Sequence, residues 1–551
     1  MSDERTLRRR AYLALIGSSA ALAGCGGRPG PSPTTTPSPA GTTGTGTPGQ
    51  TGAGTTTKRS PTPDHYGFSR VIDAVADLGC DPSGNEPCDA RLQAAVGTDT
   101  LFSFPAGSYR FAHNLEVHDI DTIGFTGRGD VRFIPPEGFD DKLLNVSNLG
   151  DVVFTGIDLD LGAPDTTAGL RFIVDRTFRV EDVEFIGRGN HPNPEVPFAL
   201  FLAVKNAGTV GVVRNVVAKH GSAIGEYKGG NGRGGIWIGP QHRGTIRVLD
   251  CHFEEFGNNG MYASRNPGRV QVVGGLFRNN NVSQIRISGK GSYVQGATII
   301  IDLRRYTGPR TSMNSSFNTR GVMIEQGPFN KPAGVEVRDC DIRLLDTSLS
   351  KGGIVVEPTG RTVTVRNTHI QVDVDDTPAV HRVLLGQQGR NSPSKPPHWV
   401  YLDGVTVTGT AAGGSSVLLV DAPNSVLRDC QIEPQGANRD GIQLFRSPGV
   451  SIEGGTLSTS RYPILVGLDG ADASLDELCI GPDVAVQTGF KGPVKRLTAV
   501  DKATDTRVGR CYNVADIVGQ VDPSMELAIT KVNGDDLYGA FVPVETTTAG
   551  G

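Results

Sequence analysis

Short stretches of alternating apolar and polar residues cover most of the chain, and one such stretch recurs many times. Three clear copies of an eight-residue pattern lie at 211–218, 246–253 and 270–277. Alternation with a period of two predicts β-strands. Asn215, Asp250 and Gly274 recur in the middle of the copies, where a left-handed backbone favours Asn, Asp or Gly. We therefore interpret each unit as two short strands joined by a tight corner.

The same pattern extends in both directions along the chain. Further copies lie at 152–159, 178–185, 335–342, 363–370, 400–407, 425–432 and 450–457. Copies that start at 246 and 270, or at 400, 425 and 450, are 24 or 25 residues apart, a period typical of one coil of a parallel β-helix without recurring helices. One unit cannot bury its own apolar edge, so successive copies must stack. Longer gaps are predicted to be loops inserted into particular coils.

A different pattern lies near the start of the folded region, at 75–96 and 101–111. Here a short helix led by Asp89 precedes a strand that ends in a Pro-Ala-Gly-x-Tyr turn; the other residues are Leu92, Gln93, Ala94, Ala95, Phe104, Pro105, Ala106, Gly107 and Tyr109. This stretch resembles the first coil of the pectate-lyase and polygalacturonase superfamily. Together with the repeat, the resemblance implies an all-β fold: a single-stranded right-handed parallel β-helix of about 10–13 coils, with a short N-terminal capping helix and a small C-terminal cap. It implies no single activity, because this fold hosts lyases, hydrolases, epimerases and non-enzymes.

The N-terminus has the features of an export signal. Three arginines at 8–10 precede an apolar run at 11–23, which is too short to span a bilayer. The run ends in Leu-Ala-Gly-Cys, which resembles a lipoprotein processing box, and the arginines followed by Tyr12 and Leu13 resemble a twin-arginine signal. The resemblance implies a signal peptide at 1–25, lipidation of Cys25, and a protein held on the outer face of the cytoplasmic membrane. The alternative is a cleaved secretory signal with an incidental cysteine.

Composition divides the remainder of the chain into three parts. Residues 26–63 are almost only Gly, Pro, Thr and Ser, which predicts a disordered tether. The β-helix domain is predicted at 64–480. The repeat fades after it, so 481–551 is predicted to cap the open end of the superhelix, where strand edges would otherwise be exposed.

Charge and composition limit the partners. The 53 basic and 58 acidic residues leave a formal net charge of −5, so nothing in the overall charge indicates nucleic acid. We expect a monomer that contacts a membrane through its lipid anchor only. No cofactor or metal is predicted. The spacing of Asp81, Ser83, Asn85 and Asp89 loosely matches a calcium loop, but the glycine and the terminal glutamate of such a loop are missing, which favours a plain turn.

The eight cysteines fall into groups. Cys251, Cys340 and Cys430 share one position in the repeat and lie about three coils apart, too far for a disulfide bond, so they are predicted to fill the core. In an exported protein, disulfides are possible between Cys80 and Cys88 and between Cys479 and Cys511.

Alternation also predicts which side chains point outward. Trp237, Tyr262 and Arg286 each lie between two inward residues, and stacking of successive coils places them in one column, about 5 Å per step. Aromatic rings can stack on pyranose faces, and a guanidinium can bind a carboxylate through two hydrogen bonds. The column is expected to turn apolar beyond this point, at Met323, Val355, Leu384 and Leu418. The alternative is that the whole column is packed beneath a loop.

The surrounding loops carry charged and polar residues that suit an acidic polysaccharide. Candidate contacts to the sugar, besides Trp237 and Tyr262, are Tyr227, Asn258, Asn259, Arg304 and Arg305. Candidates for chemistry are Glu226, Lys228, Arg233, His242, Glu254, Glu255, Arg265 and Arg286.

These candidates fit two reactions. Lyase or epimerase chemistry on a uronate needs a base, a cation for the developing enolate and an acid. The candidate base is Lys228 or Arg286, the candidate cation is Arg233 or Arg265, and the candidate acid is Tyr262 or His242. Hydrolysis needs two carboxyl groups about 5–9 Å apart, which Glu226 with Glu254 or Glu255 would supply. Neither the polygalacturonase motifs nor the pectate-lyase Arg-x-Pro-x-x-Arg motif is present, since 265–269 is one residue short. Acidic-glycan processing by lyase or epimerase chemistry is favoured; the alternatives are a glycoside hydrolase and a non-catalytic adhesion protein that binds glycans.

Overall fold

The computed structural model of the protein describes residues 67–192, 198–222, 232–309, 318–327, 329, 331–383, 385, 395–467, 478–497, 510–512, 525–533 and 536–544. The predicted signal peptide (1–25), its Cys25 and the predicted tether (26–63) lie outside these residues. None of the described helices is long and apolar enough to cross a membrane.

The described chain winds into a parallel β-helix, which confirms the predicted fold class. Among the described residues, face 1 defined below has fifteen strands, so the number of coils is larger than the predicted 10–13. Each coil contributes three strands, and each strand pairs in parallel with its counterpart one coil later. The coil around Asp250 illustrates this: Thr245–Leu249, His252–Glu254 and Met261–Tyr262 pair with Arg269–Val273, Leu276–Arg278 and Ile285–Ile287. The sequence interpretation gave each unit two strands, which was incomplete. The corner within each eight-residue copy separates two strands, and the apolar stretch after the loop forms a third.

We call the three stacks of strands face 1, face 2 and face 3, and long strands pass through corners from one face to the next. Face 1 contains Arg70–Asp73, Thr100–Arg110, Thr122–Ile134, Lys142–Thr155, Gly169–Ile186, Val210–Ala218, Thr245–Leu249, Arg269–Val273, Tyr293–Gln295, Val335–Arg338, Val363–Arg366, Val400–Asp403, Val426–Arg428, Val450–Glu453 and Leu478–Ile480.

Face 2 contains Ser83–Pro87, Asp158–Asp160, His252–Glu254, Leu276–Arg278, Thr298–Asp302, Asp341–Asp346, His369–Val372, Thr406–Thr408, Gln431–Ile432, Thr456–Thr459, Ala485–Thr488 and the later parts of four long strands of face 1. Face 3 contains Leu115–His118, Leu200–Val204, Ile236–Ile238, Met261–Tyr262, Ile285–Ile287, Thr319–Ile324, Ser350–Val356, Val380–Arg382, Ser415–Val420, Asp440–Phe445, Ile464–Gly467 and the early parts of Lys142–Thr155 and Gly169–Ile186. Within the part of the chain that the structure describes, 3-10 turns lie at Leu303–Arg305 and Pro358–Gly360.

The corners between faces 1 and 2 depend on left-handed residues. Asn215, Asp250 and Gly274 have φ angles of 49°, 52° and 65°, a region that Asn, Asp and Gly tolerate better than other residues. Corner side chains also bond between coils: the Asn215 amide nitrogen donates to Asp182 Oδ1 at 2.7 Å. The corner thus has a left-handed residue at the same place in these three coils, and the bond between Asn215 and Asp182 helps to keep neighbouring strands in register.

The interior is filled by the inward residues of all three faces. Phe253 and Phe277 stack on successive coils with ring centroids 6.0 Å apart. Cys251, Cys340 and Cys430 are buried free thiols, and burial raises the pKa of Cys251 to about 12, so this thiol is a core residue and not a nucleophile. Disulfide bonds join Cys80 to Cys88 and Cys479 to Cys511.

Both ends of the superhelix are covered. At the N-terminal end, the helix Asp89–Ala95 buries Leu92, and Asp89 accepts hydrogen bonds from the backbone of Ala112 (2.8 Å) and His113 (3.2 Å). At the C-terminal end, pairing becomes antiparallel. Ile464–Gly467 pairs with Met525–Asn533, Leu478–Ile480 with Arg510–Tyr512, and Lys495–Leu497 with Asp536–Pro543, which also forms a hairpin with Met525–Asn533. The reversed strands occupy the edges on which a further parallel coil would otherwise stack.

Candidate functional site

Strand register places Trp237, Tyr262 and Arg286 in one column on the outer side of face 3. Trp237 pairs with Tyr262, and Tyr262 with Arg286, on successive coils. Beyond Arg286 the column passes through Met323, Val355, His381 and Leu418. The expected member Leu384 lies outside the described residues, and the column position assigned to it belongs to His381.

The column carries more aromatic residues than the sequence analysis recognised. The ring of Trp237 lies 4.6 Å from that of Tyr262, 5.6 Å from that of Phe198 and 6.5 Å from that of Phe201. Phe201 precedes Trp237 in the column, and it lies between the buried Leu200 and Leu202. The same alternation that identified Trp237 would therefore have identified Phe201. We call Phe198, Phe201 and Trp237, which are all half-buried, the aromatic platform.

Tyr262 and Arg286 are much less accessible than the aromatic platform. Tyr262 is 8% exposed and Arg286 only 2%. The Arg286 guanidinium lies 4.0 Å from the centre of the Tyr262 ring and forms an ion pair with Glu325. This part of the column is thus packed, as the alternative interpretation stated. An ion-paired arginine cannot accept a proton, so assigning Arg286 as the base was wrong.

Glu325 is a second residue that the sequence analysis missed. Besides Arg286, it lies near Arg265, whose Nε is 4.0 Å from Glu325 Oε1. Arg265 also lies over the Tyr262 ring, at 5.6 Å from its centre, and its side chain remains 32% exposed. Arg265 is therefore the cation of this group that reaches the surface.

Polar residues continue the column on the N-terminal side of the platform. Phe201 pairs with Arg171, Arg171 with Asn145, and Asn145 with Glu116. The Arg171 guanidinium donates to Asn145 Oδ1 at 2.6 Å, and the Asn145 amide donates to Glu116 Oε1 at 3.0 Å. Partial burial lowers the pKa of Arg171, against the opposing effect of Glu116. The half-buried surface of face 3 is therefore a line of carboxylate, amide, guanidinium and aromatic rings, one per coil.

Arg233 and His242, which were both predicted to be catalytic, lie inside the protein. Arg233 is almost fully buried; it donates to the carbonyl oxygen of Ala168 at 2.7 Å and lies about 6 Å from the rings of Phe185 and Phe256. Burial lowers its pKa to about 9. Because the Arg233 side chain does not reach the outer side of face 3, its assignment as the neutralising cation was wrong.

His242 is also buried. Its Nε2–H donates to the carbonyl oxygen of Arg269 at 3.0 Å, and its Nδ1 accepts from the backbone N–H of Val204 at 3.4 Å. Burial lowers its pKa to about 4, so the ring is neutral near pH 7. It supports the backbone between coils and cannot serve as the acid.

The carboxylates expected to perform hydrolysis are held in place by other residues. Glu254 accepts from Arg278 Nε at 2.5 Å and lies 2.8 Å from His252 Nε2. Glu255 is fully buried, forms an ion pair with Arg188, and accepts from the backbone and hydroxyl of Thr307 at 2.6 and 2.7 Å. The expected hydrolytic pairs, Glu226 with Glu254 or Glu226 with Glu255, are therefore not supported, because both of these carboxylates, Glu254 and Glu255, are already bonded within the protein. Glu226, Tyr227 and Lys228 lie outside the described residues.

The remaining candidate sugar contacts also differ from expectation. Asn258 and Asn259 are buried and bonded to each other, with the Asn259 amide donating to Asn258 Oδ1 at 2.6 Å. Arg304 and Arg305 are exposed and lie 2.7 and 3.6 Å from the carboxylate of Asp302, at the end of a face 2 strand. The structure therefore places neither pair on the outer side of face 3.

Within the described residues, no group of three His, Cys, Asp or Glu side chains could hold a metal ion. The stretch that loosely matched a calcium loop forms a turn around Asp81. Its carboxylate accepts from the backbone of Ser83 and Asn85 at 2.9 Å each and from the Ser83 hydroxyl at 2.6 Å. The hydrogen bonds from Ser83 lower the pKa of Asp81 to about 2.

Comparisons with known proteins give likeness at the level of fold only. No protein-family model and no curated protein sequence matches the chain. Among solved structures, it is similar to the A-module of mannuronan C-5 epimerase AlgE6 from Azotobacter vinelandii, with 14% identity, a TM-score of 0.38, and 76% of this chain and 99% of the other covered. It is also similar to PfbA, a surface adhesin of Streptococcus pneumoniae, with 10% identity, a TM-score of 0.40 and coverages of 86% and 100%. A third is the catalytic unit of a GH87 α-1,3-glucanase from Streptomyces thermodiastaticus, with 12% identity, a TM-score of 0.38 and coverages of 79% and 70%.

Proposed function

We propose that the protein binds an acidic polysaccharide along face 3, with sugar rings on the aromatic platform and a uronate carboxylate at Arg171. The observation that carries the proposal is the register: Arg171, Phe201 and Trp237 are in-register neighbours on three successive coils and are all half-buried. Rungs of a β-helix are spaced about 4.8 Å apart, close to the length of one sugar residue in an extended chain. A polymer lying along the axis would then meet one of these side chains per sugar.

The chemistry of the three side chains supports an acidic ligand. Aromatic rings provide broad apolar contact at low entropic cost. A guanidinium forms bidentate hydrogen bonds with a carboxylate, and Arg171 already bonds a neutral amide, that of Asn145. Arg265 supplies a further accessible cation beyond Tyr262. Cations on both sides of the platform favour a polymer with repeated negative charge over a neutral one.

The reaction that we favour is proton abstraction beside the uronate carboxylate, by lyase or epimerase chemistry. Arg265 is the proposed neutralising cation, because its side chain is partly exposed and lies next to the column. Lys228 is the proposed base. Hydrolysis is less favoured, since Glu254 and Glu255 are both held by arginines.

We also propose export and lipid anchoring through Cys25. The two disulfide bonds, Cys80–Cys88 and Cys479–Cys511, support this proposal, because disulfides form in oxidising compartments outside the cytosol. Cell fractionation of the producing organism tests it. Wild-type protein is expected with the membranes and the Cys25→Ser variant in the soluble fraction; identical distributions would refute the anchor.

The binding proposal is tested with a panel of polyuronates and a neutral glucan. Wild-type protein is expected to be retained by a polyuronate at low salt and released as salt rises. Trp237→Ala should abolish retention. Tyr293→Ala is a matched control, because Tyr293 is a half-buried tyrosine stacked against Arg338 on face 1.

Turnover is read on the same panel. Unsaturated ends that absorb in the ultraviolet indicate a lyase, and an altered epimer ratio indicates an epimerase. New reducing ends without unsaturation would favour a hydrolase, and retention without any product would favour the adhesion alternative. Failure to bind every polyuronate would refute the proposed function.

A further inference from the structure

A group of polar side chains on face 2 forms a hydrogen-bonded relay that the proposed glycan site does not use. Asp341, His369 and Thr406 are in-register neighbours on three successive coils. Arg343, Gln371 and Thr408 form a second column two positions further along the same strands. All six side chains point outward, because the residue between each pair on a strand, such as Ile370, is buried. We call these six residues the face 2 grid.

The histidine of the grid connects a carboxylate to a hydroxyl. His369 Nδ1 lies 3.2 Å from Asp341 Oδ1, and His369 Nε2 lies 2.8 Å from Thr408 Oγ1. An ionised carboxylate can only accept, so Nδ1 carries the hydrogen and Nε2 accepts from the Thr408 hydroxyl. This is the order of contacts in which a histidine acts as a base towards a nucleophilic hydroxyl while an aspartate fixes its tautomer.

The relay is accessible. The His369 side chain is 40% exposed and that of Asp341 31% exposed, and Thr408 is half-buried. These side chains lie on an outward strand surface, so a reactant can approach from solvent. The arrangement therefore differs from that of His242, which links two coils within the protein.

Two side chains of the grid carry hydrogen-bond donors and share the column of Thr408. Gln371 is the in-register neighbour of Thr408, and its amide nitrogen donates to Asp373 Oδ2 at 2.8 Å. Arg343 is the next residue in that column, and its guanidinium bonds Asp341 Oδ2 at 2.5 Å. Gln371 is one coil from Thr408, so its amide can stabilise negative charge on an oxygen that develops between them. Arg343 is two coils from Thr408 and holds the carboxylate of Asp341.

We propose that Asp341, His369 and Thr408 form an acyl-transfer centre that hydrolyses carboxylic esters. Thr408 Oγ attacks the ester carbonyl carbon while His369 Nε2 takes the hydroxyl proton. The bond from the carbonyl carbon to the alcohol oxygen breaks, and His369 returns that proton to the leaving alcohol. Water then attacks the acyl-threonine, His369 takes a proton from the water and passes it to Thr408 Oγ, and the carboxylic acid leaves. The step needs no reactant other than the ester and water.

The grid contains its own control. Thr406 is the in-register neighbour of His369, yet the imidazole bonds Thr408 and not Thr406. Both threonines are half-buried residues of the same strand and the same face. Thr406→Val and Thr408→Val therefore remove the same hydroxyl from equivalent surroundings, and only the second is expected to remove the nucleophile.

The test uses the full chain with p-nitrophenyl acetate as substrate and a fluorophosphonate as covalent probe. Wild type and Thr406→Val are expected to turn over the ester and to take up the probe. Thr408→Val and His369→Phe are expected to lower kcat at least ~100-fold and to lose labelling, and peptide mapping of the labelled wild type should place the adduct on Thr408. Thr408→Ser, which keeps a hydroxyl, should retain labelling even if Thr408→Val fails to fold.

The proposal would be overturned by no turnover and no labelling of wild type, or by an adduct on a residue other than Thr408. Equal loss in Thr406→Val and Thr408→Val would also overturn it. The glycan site on face 3 does not enter these outcomes, because the polyuronate panel reports on it separately.

Discussion

Trp237 and Tyr262 lie directly above one another on successive coils of face 3, and the edge of one ring meets the face of the other. They are in-register partners, their ring centroids are 4.6 Å apart and the rings are inclined at 79°. Such a pair adds about 0.5–1.5 kcal/mol to the burial of its two rings. The contact joins the half-buried aromatic platform to the packed part of the column. Removing Trp237 and removing Tyr262 should therefore lower the free energy of unfolding by different amounts.

We expect Tyr262→Ala to destabilise the protein more than Trp237→Ala. Tyr262 is 8% exposed and supports the guanidiniums of Arg286 and Arg265, so its loss should cost about 3 kcal/mol. Trp237 is half-buried, so Trp237→Ala should lower stability clearly less, and under the proposed function it is expected to abolish glycan retention. Urea unfolding followed by circular dichroism measures the difference. Equal losses of stability would contradict the packed position of Tyr262.

A second prediction concerns the carboxylate of Glu325. It pairs with Arg286, whose side chain is 3% exposed, and removing one partner of a buried ion pair typically costs 3–5 kcal/mol. We expect Glu325→Gln to lower the free energy of unfolding by about 3 kcal/mol. Glu453→Gln is the matched control, because Glu453 pairs with Arg428, a guanidinium that is 45% exposed, and such surface pairs contribute about 1 kcal/mol or less. The prediction fails if the two variants unfold at the same urea concentration.

The sequence was sufficient to predict the scaffold because its repeat encodes the corners. Asp250 and Gly274 occupy the same place in neighbouring coils and both have positive φ, so a corner can be located without knowing what packs around it. Alternation then decides which neighbours face inward. That is why the in-register column of Trp237, Tyr262 and Arg286 could be predicted from residue spacing alone.

The accessibility of the site could not be predicted in the same way. Whether an outward side chain is exposed depends on segments that come from other coils, as in the ion pair of Arg286 with Glu325, 39 residues further along the chain. The sequence also does not show which residue joins the column after a loop, because loop length varies between coils. Leu384 was therefore expected where His381 lies. Arg233 and His242 were misassigned for a related reason. Both lie next to a loop, where alternation does not show whether a side chain points inward or outward.

A third prediction follows from the buried imidazole of His242. Burial lowers its pKa to about 4, with nearby Lys331 acting in the same direction and the hydrogen bonds to Arg269 and Val204 opposing it. Because the folded pKa lies below the ordinary value of about 6.5, the unfolded chain takes up the proton first. The free energy of unfolding should therefore be fully retained above about pH 6.5 and fall by about 3 kcal/mol towards pH 4.

This pH dependence is measured by urea unfolding between pH 7 and pH 4. The His242→Gln variant should show a weaker decline than wild type over that range. His118→Gln is the control, because the His118 side chain is 63% exposed, and it should decline as wild type does. A wild-type profile that is flat from pH 6.5 to pH 4 would contradict the burial of a neutral His242.

The two disulfide bonds should differ in their contribution to stability. Cys80 and Cys88 are 8 residues apart, whereas Cys479 and Cys511 are 32 apart. Loop-closure entropy grows with the logarithm of loop length, so the longer loop should contribute about 1.2 kcal/mol more. Cys479 also pairs with Cys511 across the antiparallel strands at the C-terminal end, so this disulfide holds the covering strands on the last coil.

We therefore expect the double variant Cys479→Ser with Cys511→Ser to lose more stability than Cys80→Ser with Cys88→Ser, and to lose it first at the C-terminal end. Hydrogen exchange should speed up in Leu478–Ile480, whose partner strand Arg510–Tyr512 is released, while Thr245–Leu249 in the central coils keeps its protection. The Cys80→Ser, Cys88→Ser variant is the control, with faster exchange confined to the N-terminal coils. Faster exchange in the central coils of the first variant would show that the disulfide stabilises the whole superhelix and not its end, because the coils would then unfold together.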